Sequence, residues 1–160
     1  MRTRSLAVAI VALLLVPLAA PAELPPAVRQ ALDEAPYVYI SSTRKDGALG
    51  RPAEIWFMWH EGAVYVGTRP TSWRVKRIQA GRPGAKIAVG AVDGPSFAAT
   101  GALVKDARIE ALLLADFARK YPERWPAHAE PFRAGFKDDS RVIVKYVPEE
   151  SAARPTDTGR

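Results

Sequence analysis

Apolar positions follow three rhythms along this chain, and each rhythm predicts a different kind of segment. From Ser5 to Leu18 they run almost without interruption, behind a start that carries Arg2 and Arg4 and ahead of Ala20-Pro21-Ala22, a small-x-small cleavage pattern. This is the layout of a secretory signal peptide over residues 1–22, cut after Ala22, and the run is shorter than the ~20 apolar residues of a membrane span. The chain is therefore expected to be secreted or periplasmic, with no stable membrane span after cleavage; a retained N-terminal anchor is the alternative. No Arg-Arg pair precedes the run, so export in a prefolded, cofactor-loaded state is not indicated.

Beyond residue 23 the pattern shifts to short aromatic and β-branched runs that read as strands. Tyr37–Thr43, Ala53–His60, Ala63–Thr68, Lys86–Val92, Phe97–Val104 and Arg141–Val147 make six. Glu61-Gly62 joins the second and third as a hairpin, and Arg44–Gly47 and Asp93-Gly94 carry turn chemistry. A helical period is found in three places. Ala27–Ala35 follows Leu24-Pro25-Pro26, a second segment is capped by Thr71 or Ser72 and ended by Gly81, and Ile109–Tyr121 places Ile109, Leu112, Leu113, Phe117 and Ala118 on one face. Pro122, Pro126 and Pro131 predict that the following stretch breaks into short pieces. Strands linked by turns argue for an antiparallel sheet, and closing it into a small barrel removes exposed edges. The expected fold is mainly β (α+β), six antiparallel strands with flanking short helices over residues 23–148, then a polar tail over 149–160.

Composition narrows the chemistry. A length of 160 residues suits one domain, and 48% hydrophobic with 25% charged residues is globular composition. The absence of Cys removes disulfides, thiolate metal ligands and a Cys nucleophile, and the two histidines, His60 and His128, are too few for a polyhistidine site, so no metal is expected. The net charge of +6 falls to +4 without Arg2 and Arg4. In an exported chain so small a surplus argues against nucleic acid as partner, despite the basic face of Arg74, Lys76, Arg77 and Arg82. His60 at a hairpin end and His128 in a Pro-rich loop have no visible orienting partner and read as surface or capping residues. Asp138-Asp139 reads as a solvated turn. Trp56, Trp59, Trp73 and Trp125 read mainly as core, with the capacity to stack on a flat ring. No acid, base or nucleophile stands out, so the catalytic residues are unknown at this level.

The densest chemistry runs from Thr68 to Arg77, a strand-to-helix junction with several hydroxyls and four cations. Thr68, Ser72 and Arg74 are spaced to converge on one phosphate, with Arg supplying a planar fork for its oxygens. The competing reading is a capping Ser followed by a solvated basic helix face.

The order of helix, hairpin ending in Tyr65-Val66-Gly67-Thr68, then Thr71-Ser72-Trp73-Arg74-Val75-Lys76-Arg77-Ile78, then Ala85-Lys86-Ile87-Ala88-Val89 and Ala99-Thr100-Gly101 resembles the pyridoxamine 5'-phosphate oxidase-like family. These are flavin-binding split β-barrels, deazaflavin-dependent relatives included, and the resemblance spans Leu24 to Pro148. It implies an FMN-like cofactor at the interface of a homodimer. The phosphate would be held by Thr68, Ser72 and Arg74 with Lys76 or Arg77 nearby, and the strand Glu54-Ile55-Trp56 would lie along the isoalloxazine ring. Ser96 matches a position that reaches the flavin from the other subunit. Arg74 stands where the family pattern carries Lys, which keeps the charge. The pyridoxal-phosphate-binding Arg and His residues of the true oxidases have no match, so vitamin B6 oxidation is not implied. Export in an unfolded state would favour FMN over deazaflavin, the cofactor then being acquired outside the cytoplasm. The expected function is an exported FMN-dependent oxidoreductase acting on a small-molecule substrate or electron donor. The alternative is a non-catalytic module that binds flavin, deazaflavin or heme.

Overall fold

Ala53–His60 does not form one strand. It breaks at Trp56-Phe57, and the sheet has seven strands where the pattern predicts six. The computed structural model describes residues 23–149; the signal peptide expected over residues 1–22 and the tail from residue 150 onward lie outside the described residues. The order is α1 (Pro26–Glu34), β1 (Val38–Ser42), β2 (Ala53–Ile55), β3 (Met58–His60), β4 (Ala63–Thr68), α2 (Trp73–Gln79), β5 (Gly84–Val89), β6 (Ser96–Val104), α3 (Ala107–Lys120), α4 (Trp125–Lys137) and β7 (Val142–Pro148).

The sheet runs β2-β1-β5-β6-β7-β4-β3 and every pairing is antiparallel. Consecutive segments β2 and β3 thus end at opposite edges, β2 on β1 and β3 on β4. Trp56-Phe57 carries the chain from one edge to the other, curling the sheet into an incomplete barrel. Phe57 is fully buried inside it. Its N–H donates to the Tyr121 hydroxyl at 3.2 Å, and that hydroxyl donates to the Pro36 carbonyl at 2.7 Å. One side chain therefore satisfies two backbone groups that the break takes out of the sheet ladder. Across the β3–β4 hairpin, Glu61 and Gly62 have φ of 47° and 73°, the paired positive angles that match the twist of two-residue hairpins.

Two apolar clusters hold the layers. Inside the barrel lie Leu32, Val38, Val64, Val66, Val75, Ile87 and Val144, plugged at one end by α1. Outside it, Tyr65, Leu113, Phe117, Trp125, Phe132 and Ile143 pack the sheet against α3 and α4. Strand β4 faces both clusters, so it is buried at all six positions.

The three prolines do not fragment the chain as expected. Pro122 precedes a single 13-residue helix, α4, with Pro126 in its first turn, where a missing N–H has no helical partner. Pro131 is interior to the helix but exposed. Burial of Trp125, Phe132 and Phe136 holds the helix across the one bond that Pro131 removes. Among the described residues no helix is long and apolar enough to cross a membrane.

Candidate functional site

The junction residues divide between two clefts. The first, about 480 Å³, is lined by Ile40 and Ser42 of β1, by Arg44, Gly50 and Arg51 of the β1–β2 loop, and by Ser72, Trp73, Arg74 and Arg77. The second, about 440 Å³, holds Ile55, Trp56 and Thr68 together with residues from α4 and the start of β7.

Arg74, in the first turn of α2, is only 8% exposed. Its Nη1 has no hydrogen-bond partner, and among the described residues it pairs with no carboxylate. Burial pushes the guanidinium below its ordinary range, with Tyr146 opposing; Tyr146 itself is pushed up by burial, with Arg74 opposing. The Tyr146 hydroxyl is likewise buried without a partner. Ser72 stands at the helix N-cap in extended conformation but its hydroxyl does not cap; the buried Oγ has no partner either. A charge this buried is destabilising unless an opposite charge meets it. Arg74 and Ser72 therefore put an unneutralised positive charge and unsatisfied polar atoms in the wall of the first cleft.

Arg77 is already engaged. Its Nη1 donates to the Ser42 carbonyl at 2.8 Å and the Ser42 hydroxyl at 2.9 Å. Gly50 permits this, because a Cβ there would lie 2.5 Å from Arg77 Nη1. Arg77 thus ties the β1–β2 loop to α2 and builds the cleft wall. Lys76 is exposed, its Nζ 5.3 Å from the ring centre of Trp73, which is 71% exposed at the cleft mouth.

Of the residues singled out in the sequence, Ser72, Arg74 and Arg77 meet in the first cleft; Ile55, Trp56 and Thr68 meet in the second. Three others belong to neither. The exposed Glu54 carboxylate accepts from the Tyr39 hydroxyl at 2.7 Å, Lys76 points outward, and Ser96 lines a third cleft of about 440 Å³ with Thr43 and Lys86. His128 is on α4 rather than in a loop, with its ring edge-on to Trp56 at 5.2 Å, and it lines the second cleft. His60 is half-buried at the hairpin end, its Nε2 3.5 Å from the Glu61 carboxylate. Asp138 accepts from the Ser140 N–H and Asp139 pairs with Lys105, an exposed turn. Trp125 is core; Trp56 and Trp59 are half-buried. Among the described residues no three His, Asp or Glu side chains gather for a metal ion.

Sequence reasoning passed over Arg44 and Arg51 in the first cleft and Arg69, Arg124 and Arg141 in the second. Arg51-Pro52 directly before a strand was a weak signal for the loop. The other three come from separate elements, and nothing in their spacing brings them together.

No protein-family model matches the chain, and no curated protein sequence matches it. Solved structures do. HutZ, the heme storage protein of Vibrio cholerae, is 12% identical with a TM-score of 0.56, over 79% of this chain and 90% of that one. A candidate pyridoxamine 5'-phosphate oxidase of Listeria innocua is 15% identical with a TM-score of 0.56, over 77% and 91%. An F420 reductase is 19% identical with a TM-score of 0.51, over 79% and 96%. The chain has the pyridoxamine 5'-phosphate oxidase-like split β-barrel fold. At these identities the likeness is one of fold.

Proposed function

We propose that this protein is an exported, FMN-dependent oxidoreductase that acts as a homodimer on a small-molecule substrate. The observation that carries the reading is Arg74: a buried guanidinium with no acid partner and an unpartnered Nη1, lining the same cleft as Ser72, whose Oγ is unpartnered too. A phosphate group satisfies both and neutralises the charge. The fit rests on these side chains rather than on a helix dipole, because α2 has seven residues and Ser72 does not cap it. Arg51 adds positive charge to the same cleft, Arg44 is paired with Asp46, and Arg77, fixed to Ser42, keeps the cleft's shape. A bound flavin supplies hydride or electron transfer. The chain supplies position and electrostatics, in keeping with a cleft that holds cations and hydroxyls but no side-chain base. Two of the similar structures are named for oxidoreductase chemistry, which supports the same reading.

A second reading is a non-catalytic module that holds flavin, deazaflavin or heme; the fold shared with a heme storage protein favours it. The spectrum of the purified protein separates the two: a flavin absorbs near ~450 nm, a property of the cofactor that the protein tunes. Arg74→Ala is expected to reduce bound flavin roughly tenfold or more, the loss of a charge-assisted contact, whereas Arg29→Ala on α1 retains it. Equal flavin content in both variants would remove Arg74 from the site. A Soret band in place of flavin supports the second reading, and a protein that takes up neither chromophore ends both. The secreted form should begin at Glu23 and elute at twice the monomer mass.

A further inference from the structure

A lysine stem is long enough to keep its ammonium in water, so one that turns inward gives up hydration it could have kept. Lys120, in the last turn of α3, turns inward. It is half-buried, its Nζ 3.3 Å from the ring centre of the fully buried Phe57. The same Nζ stands 3.4 Å from the Phe57 carbonyl, long for a hydrogen bond. Among the described residues Lys120 forms no ion pair, while its neighbour Arg119 holds Asp116. The break between β2 and β3 thus offers the amine a ring and a carbonyl in place of a carboxylate.

The amine is not sealed in. With Asp33 and Glu34 of α1, Trp59 of β3, and Asp116 and Arg119 of α3, it lines a cleft of about 190 Å³. This cleft shares no lining residue with the two that divide the junction residues. The Tyr121 ring, 5.9 Å from Nζ, is the nearest phenol. Burial lowers the ammonium from 10.5 to about 8; Arg119 lowers it too, and Asp116 and Asp33 oppose. At pH 7 about a tenth of Lys120 is then free amine, roughly 300 times the share in an ordinary lysine. The Phe57 ring face works the other way, since it attracts a cation. A measured pH midpoint therefore decides the matter as much as the place of reaction does.

We propose that Lys120 captures a small aldehyde as an imine in the cleft between α1 and α3. The lone pair on Nζ forms a bond to the carbonyl carbon, and a proton passes from nitrogen to oxygen. The resulting carbinolamine loses water and leaves a C=N bond, with no net oxidation or reduction. Asp33, Glu34 and Asp116 bring more negative charge to the cleft lining than Arg119 offsets, which favours the iminium cation formed as water departs. The volume suits a carbonyl compound of a few carbons. The capture site is independent of the flavin reading, and the failure of either leaves the other standing.

The test is limited reductive labelling of the folded protein. Propanal is added at limiting concentration, imines are fixed with sodium borohydride, and propyl adducts are located by peptide mass mapping. At pH 7 Lys120 should carry roughly tenfold more adduct than the exposed Lys45 and Lys137. The preference is smaller than the gain in free amine because a weaker base is also a weaker nucleophile. Labelling of Lys120 should level off with a midpoint near pH 8, while Lys45 and Lys137 still climb at pH ~10. Both signatures should vanish in concentrated urea, where the cleft is lost. Equal labelling of Lys120 and the exposed lysines, a Lys120 midpoint near the ordinary 10.5, or a preference that survives urea would each overturn the proposal.

Discussion

Arg74 buries a fixed charge, and the fold bears the desolvation of that charge without an acid partner. Replacing a buried, uncompensated charge by an apolar side chain of similar length commonly stabilises a protein. Arg74→Met is therefore expected to raise the stability of the flavin-free protein by about 1–3 kcal/mol, seen as a higher urea midpoint at unchanged slope. A lower midpoint would mean that the guanidinium serves packing rather than a ligand. Arg74 and Arg77 show what a sequence conveys at this scale. Both stand in one basic segment and both are candidates by type and spacing. Only the fold turns Arg77 onto Ser42 and leaves Arg74 without a partner.

At the scale of elements, the break between β2 and β3 is the feature that makes a barrel out of a sheet, and Tyr121 secures it from the end of α3. Tyr121→Phe keeps the ring stack on Trp56 but leaves the Phe57 N–H and the Pro36 carbonyl without their partner. The expected loss is about 1–3 kcal/mol, from the buried Phe57 N–H, the Pro36 carbonyl being only part-buried, measured by denaturant unfolding. A loss below ~0.5 kcal/mol, the range of ordinary surface changes, would show that water replaces the hydroxyl. The alternation of Ala53–His60 carried no mark of this break, because both halves are strands and only their partners differ. The opposite error concerns α4. Three prolines predict short pieces in a local reading, while burial against β4 outweighs Pro131 in the fold.

For the whole molecule, two neighbouring groups shape the response to alkali. Burial lowers the Lys120 ammonium from its ordinary 10.5 to about 8, with Asp116 opposing. Burial also pushes the Tyr121 phenol above its ordinary 10.0, with the Phe57 N–H opposing. Between pH 8 and 10.5 the unfolded chain keeps a lysine proton that the folded chain has released, so this group makes stability rise with pH. Above pH 10 the unfolded tyrosine has lost a proton that the folded one retains, so stability then falls. Urea midpoints across this range should rise and turn over near pH ~10, and Lys120→Met should flatten the rising limb. An identical pH profile for parent and Lys120→Met would refute the assignment.

Period and turn chemistry act within a few residues, so the sequence alone determined the mainly antiparallel sheet, the Glu61-Gly62 hairpin, the three periodic helices and the basic junction after β4. Strand partners, burial and convergence depend on residues far apart in the chain. The tertiary structure therefore decided where Ala53–His60 splits, that α4 stays whole, which junction arginine is buried, and that Arg69, Arg124 and Arg141 face one space. Each of these follows from the closing of the sheet, which sets the edges, the two apolar clusters and the clefts between them together.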